Sequence, residues 1–155
     1  MSIITEQEFN QLLLLACEWA KEQEINILDK GQLLSEQQIN DAKLIPVSIP
    51  EKVRLLKVRQ IPLPMDPQLR LAAQTTGLIT KDIVGLTLRY GVFIRVDFWG
   101  DRKVIVHELA HVAQYEKLGG IYQFLEKYLH ECVDIGYRNA PMEQEAIAVA
   151  NRICT

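Results

Sequence analysis

Between Val84 and Gly120 the hydrophobic period of the chain switches from two to helical, and this switch constrains the fold more than any other stretch. Val84, Leu86, Leu88 and Tyr90 alternate with Gly85, Thr87 and Arg89, and beyond Gly91 the residues Val92, Ile94, Val96 and Phe98 alternate with Phe93, Arg95 and Asp97. Alternation sends successive side chains to opposite faces of a strand, so two strands, 84–90 and 92–98, joined tightly at Gly91 are expected. Gly100-Asp101 ends the second strand, and Asp101 can cap the free N–H groups of a helix that runs to Gly119-Gly120.

The flanking segments add helices. Phe9, Leu12, Leu13, Ala16, Trp19 and Ala20 recur at helical spacing after Thr5, a residue suited to an N-cap, and predict an amphipathic packing helix to about Glu24. A weaker helix is expected from Ser35 to about Lys43. Pro46, Pro50, Pro62, Pro64 and Pro67 exclude a long helix among them, while the branched apolar residues of 53–61 favour an outer or first strand. Asp66-Pro67 opens a short helix to about Gln74, ended by Gly77. Ile121, Phe124, Leu125, Tyr128 and Leu129 mark one face of a helix over 121–133, and a last helix starts near Pro141 and reaches the C-terminus. The expected fold is α+β: a short, mostly antiparallel sheet packed with one central helix and further helices.

The 155 residues suffice for one core, since separate cores would each need on the order of 100 residues. The chain therefore reads as a single domain, 1–155, with N-terminal helices in 1–45 and the chemically informative part in 84–155. Its 48% hydrophobic and 24% charged residues are those of an ordinary globular protein, and its net charge of -3 offers no basic field for a phosphate backbone. Nucleic acid is not an expected partner. Leu12 to Ala16, the one apolar run near the start, is too short to span a bilayer, and Glu6 and Glu8 stand where a signal peptide carries positive charge. No membrane association is expected, and the cytoplasm is the expected compartment. Cys17, Cys132 and Cys154, odd in number and without Cys-x-x-Cys spacing, read as reduced, mostly buried thiols.

Chemistry concentrates in His107-Glu108-Leu109-Ala110-His111. On a helix His107 and His111 stand one turn apart on one face, so both imidazoles can meet one zinc ion. Glu108 lies about 100° around the helix, beside the ion and free to take a proton from water. A catalytic zinc takes three protein ligands and leaves the fourth position open. His130 falls in a strongly apolar helix and is not expected to ligate. In a helix that begins at Pro141, Glu143 shares a face with Ala146, Ile147 and Ala150, the stripe that must turn inward, whereas Glu145 faces outward more easily. Glu143 is the expected third ligand, with Glu145 the alternative.

His107 to His111, the following Gln114-Tyr115 and the downstream Glu143-x-x-Ala146 resemble the gluzincin branch of the zincin metallopeptidases, in which a second helix supplies a glutamate ligand. The strand pair before the metal helix is also similar to that family's sheet, whose edge strand binds an extended substrate. The resemblance covers roughly residues 84–155 and implies His107, His111 and Glu143 as metal ligands and Glu108 as general base. Members also use a tyrosine or histidine to stabilise the oxyanion; Tyr137, Tyr115, Tyr122 and His130 are the candidates, with Tyr137 preferred. The few residues after the glutamate helix predict a minimal lower wall of the cleft.

Two functions follow as expectations. One is zinc-dependent hydrolysis of a peptide or protein substrate lying along strand 84–90 or 92–98, where Phe93 and Trp99 suggest a preference for apolar side chains that core packing explains at least as well. The other is a zinc-binding sensor or interaction protein of the same fold with little or no turnover. Nucleophilic catalysis by Cys132 with His130 is a third class and is not expected, because residues two apart on a helix face different directions and cannot meet without outside help.

Overall fold

A computed structural model describes residues 4–155. In chain order its elements are α1 (Glu6–Lys30), β1 (Gln32–Leu33), α2 (Glu36–Leu44), β2 (Arg54–Val58), α3 (Pro67–Thr75), β3 (Gly85–Leu88), β4 (Gly91–Arg95), α4 (Arg102–Leu118), α5 (Ile121–Asp134) and α6 (Pro141–Ile153). The strands form one open sheet in the order β1-β2-β4-β3. The two outer pairs are antiparallel and the central pair β2-β4 is parallel, so the α+β fold carries a mixed sheet.

Local chemistry sets the helix ends. Thr5 and Ser35 form reciprocal capping boxes with Glu8 and Gln38, while the Asp66 and Asp101 side chains accept from the first turns of α3 and α4. Gly119, at φ 105°, closes α4 in the left-handed conformation that glycine adopts without cost. Alternation along β4 divides the core. Phe93 packs with Leu13, Leu69 and Phe124 of α1, α3 and α5, whereas Val92 and Ile94 pack with Leu109 and Val112 of α4 and Ala146 of α6.

Several boundaries differ from the sequence-based expectation, each for a physical reason. α1 runs six residues beyond Glu24, because Glu24 and Ile27 are buried and extend its inward face. The strand expected over 53–61 is shorter and interior, paired with both β1 and β4. The strand expected over 92–98 stops at Arg95, after which Val96–Phe98 form a 3-10 turn closed by the Trp99 N–H on the Val96 carbonyl.

The hairpin turn is Arg89-Tyr90, with Gly91 the first residue of β4. Arg89 takes φ 63° although it is not glycine. The buried Glu24 carboxylate holds it there, accepting from the Arg89 guanidinium at 2.7–3.1 Å and from the Tyr90 N–H at 3.0 Å. Gly91 serves a different need: a Cβ at this position would stand 2.9 Å from Ile27 Cβ, so glycine lets α1 lie against the sheet.

Candidate metal centre

α4 carries His107 and His111 on one face, with ring centroids 5.0 Å apart and nearly perpendicular. α6 begins with Pro141, so Glu143 sits in its first turn, where the helix dipole favours a carboxylate. Glu143 Oε1 lies 2.7 Å from His107 Nε2, and Oε2 lies 3.0 Å from His111 Nε2. One ligand atom from each of the three residues lies within 4.8 Å of the others, the one such group among the described residues. Glu145 is exposed and binds Gln114 instead. Ile147, expected on the inward stripe with Glu143, is exposed along the cleft wall.

The surroundings prepare the His111 lone pair. The Gln114 Nε2 amide donates to the Met142 carbonyl, which can only accept, at 2.9 Å. That contact fixes the amide's orientation and turns Oε1 toward His111 Nδ1 at 2.7 Å. Nδ1 must then carry a proton, and Nε2 is the nitrogen turned toward Glu143. Burial alone would lower the pKa of His111, but hydrogen bonding to Glu143, the nearby Glu108 charge and the Gln114 contact outweigh it and push it up to about 9. Burial likewise raises Glu143, yet the hydrogen bonds and charges of His107 and His111 hold it well below the usual carboxylate range. Two imidazoles and one carboxylate kept anionic, with Gln114 fixing the His111 tautomer, are a set of donors that could hold a metal ion, and their chemistry fits zinc.

Glu108 is buried on the sheet side of this group. Thr87 of β3 donates through Oγ1 to Glu108 Oε1 at 2.8 Å, leaving Oε2 3.9 Å from His107 Nε2. Gly85 makes that approach possible, because a Cβ there would stand 2.9–3.0 Å from the Glu108 side chain. Of the four oxyanion candidates only Tyr137 borders the carboxylates from the cleft, its hydroxyl 3.3 Å from Glu143 Oε1. Burial first, and then the Glu143 charge, raise its pKa far above the phenolic range, so it stays a proton donor. Tyr115 donates to the Thr87 carbonyl, Tyr122 contacts Glu126 at the surface, and His130 stacks on Phe9 at 3.8 Å.

Sequence reasoning missed Tyr128, Thr87 and Gly85. Tyr128 donates to Glu143 Oε2 at 2.8 Å, and its signal was a hydroxyl on the inward stripe of α5 that had to find a partner. Of the two readings open for Phe93 and Trp99, a preference for apolar substrate side chains and core packing, the structure shows the packing. Phe93 is 1% exposed in the core, and Trp99 packs on the α4 side under Lys57.

Two cavities meet at this group and share Gly85, Glu108, Tyr137 and Glu143 in their walls. One, of about 590 Å³, is apolar and lies among α1, α3, α5 and the edge of β3. The other, of about 880 Å³, is an open cleft with Asp82, Lys103 and Arg138 along it. The chain matches no family model, no curated protein and no solved structure. Among the described residues no helix is long and apolar enough to cross a membrane, and Cys17, Cys132 and Cys154 are free thiols.

Proposed function

We propose that the chain is a zinc-dependent metallopeptidase of the gluzincin type, acting on a peptide or protein in a reducing compartment such as the cytoplasm. The observation that carries this reading is the convergence of His107, His111 and Glu143 beside a carboxylate, Glu108, that β3 holds apart from them. A zinc ion held by the three ligands would supply Lewis acidity, lowering the pKa of water to roughly 7 and polarising a peptide carbonyl.

The chain's own residues supply the rest. Thr87 occupies Glu108 Oε1, so Oε2, turned toward His107, is the oxygen that takes the proton from water and passes it to the leaving nitrogen. The Tyr137 hydroxyl borders both cavities and donates to the oxygen on which negative charge develops. Gly85 presents the substrate backbone with a partner. Because the Arg95 N–H donates to the Val84 carbonyl, the bonded pairs of the hairpin are 84–95, 86–93 and 88–91, and Gly85 turns its own N–H and C=O outward at the junction of the cavities.

The deciding experiment combines metal analysis with digestion of a peptide library by the wild type and by Glu108→Gln. One equivalent of zinc in both proteins, with cleavage by the wild type alone, is the expected result. Equal cleavage by both proteins would remove Glu108 as the base. Zinc in both with cleavage by neither would overturn peptide hydrolysis and favour a binding protein of the sensor type.

A further inference from the structure

The apolar cavity is too long for a side chain. Along α1 its wall, past the exposed Glu8, runs from the buried Phe9 to Ala20, a span of about 16 Å at 1.5 Å per residue. Along α5 it runs from Phe124 to Val133, about 13 Å on the same rise. No amino-acid side chain reaches that far.

The walls also exclude a threaded polypeptide. α1, α3 and α5 spend their backbone groups inside their own helices, and the polar side chains Glu8, Gln11, Gln68 and Thr75 of the lining are exposed, so away from them the backbone groups that could pair with an incoming peptide are those of β3. Beyond Gly85 the next outward carbonyl on β3 is that of Thr87, which already accepts from the Tyr115 hydroxyl at 3.0 Å. A peptide pushed deeper would bury amides without partners, a cost that hydrocarbon does not carry. Among the described residues no lysine or arginine lines the chamber, whereas Glu8, Glu108 and Glu143 do. An anionic head group is therefore disfavoured there and a neutral amide suits it.

We propose that this chamber binds a saturated acyl chain of about twelve carbons, carried by the substrate as an N-acyl amide whose peptide portion lies in the polar cleft. The length follows from the 16 Å wall, since C–C bonds of about 1.5 Å at tetrahedral angles advance about 1.25 Å per carbon. The inference rests on the reading of His107, His111, Glu143 and Glu108 as a hydrolytic centre. In the reaction, water adds its oxygen to the acyl carbonyl carbon and the C–N bond breaks. The acyl group leaves as a fatty acid, and the amine takes the proton relayed by Glu108.

Binding can be read without turnover, because Trp19 lines the chamber and the chain has only two tryptophans. In a Trp99→Phe background, metal-free protein is titrated with N-acyl-alaninamides of four, eight and twelve carbons and with an unacylated leucine tetrapeptide, following Trp19 emission. Saturable binding is expected, with Kd falling roughly fourfold per added methylene. Ala72→Phe, which fills the chamber from α3, should abolish the gain between eight and twelve carbons; Ala16→Leu tests the same point from α1 if the first variant does not fold. Equal Kd for four and twelve carbons, or leucine peptide binding as tight as the twelve-carbon amide, would overturn the proposal. Release of alaninamide by the zinc-loaded protein is measured separately. Chain-dependent binding without release would count against hydrolysis and leave the chamber's ligand standing, whereas cleavage of peptides with no chain dependence would do the reverse.

Discussion

Replacing Gln114 by leucine tests whether its hydrogen bond to His111 Nδ1 sets the metal affinity of the candidate centre. Gln114 is buried and makes three contacts, accepting from His111 Nδ1 at 2.7 Å and donating to the Met142 carbonyl at 2.9 Å and to Glu145 Oε1 at 3.1 Å. Leucine has similar bulk, so the cost is chiefly in hydrogen bonds: about 1 kcal/mol for each neutral pair and about 1–3 kcal/mol for the buried His111 Nδ1–H left without a partner, whereas the Met142 carbonyl keeps its place in the α6 hydrogen-bond ladder. Gln114→Leu should lose about 2–4 kcal/mol of stability, read by denaturant melting of the metal-free protein. Without the Oε1 acceptor, His111 no longer favours the tautomer that turns its Nε2 lone pair to the ion, and zinc affinity should fall about 10–100-fold. Competition with a chromophoric chelator measures that fall. Glu145→Ala is the control, since it removes one exposed partner of Gln114 and keeps the other two, and its zinc affinity should stay within about threefold of wild type. A folded Gln114→Leu protein that binds zinc as tightly as wild type would refute the reasoning.

Glu108→Gln should keep one equivalent of zinc and lose about 10²–10⁴-fold in kcat, measured on any peptide that the wild type cleaves. Gly85→Ala brings a methyl within 3.0 Å of the Glu108 carboxylate, so kcat should drop at least about tenfold while zinc stoichiometry stays unchanged. Glu24→Ala orphans the buried Tyr90 N–H and removes the clamp on the left-handed Arg89, for a loss of about 2–4 kcal/mol in urea melts. In the zinc-stripped protein His111 is raised above its ordinary 6.5 to about 9, so its stabilising contribution is full below pH 6.5 and is lost as pH rises through 9. Glu143 is depressed below its ordinary 4.5, so its contribution is full above 4.5 and lost as pH falls, and Tm of that protein should be highest between pH 4.5 and 6.5.

The parts of the fold legible in the sequence are those fixed by local chemistry. α4 was read from Asp101, Gly119 and the period between them, and α6 from Pro141 and its inward alanines. What failed depended on distant partners. β1 has two exposed residues and exists only by pairing with β2, and the parallel partnership of β2 with β4 joins segments more than thirty residues apart. The turn was assigned to Gly91 because glycine is the usual turn signal, yet the turn belongs to Arg89-Tyr90. Gly91 answers to Ile27, sixty-four residues earlier in the chain.

The same division runs through the site. His107 and His111 were legible because a four-residue spacing on a helix is geometry in itself, and Glu143 because its helix had one apolar stripe to bury. Thr87 and Tyr128 were not, since each looks like an ordinary member of a strand or an apolar face until the fold brings it to a carboxylate. The chamber was the least legible feature of all. Its walls include Ala16 and Ala20 on α1 and Ala72 and Ala73 on α3, residues that in a sequence read as close helix packing. Here the helices stand apart and the short side chains leave space open to Glu108 and Glu143. Apolar side chains left facing such a space forgo the burial that closer helix packing would give them. A half-open apolar pocket of about 590 Å³ that has the candidate catalytic carboxylates in its wall has the size and lining of a ligand site.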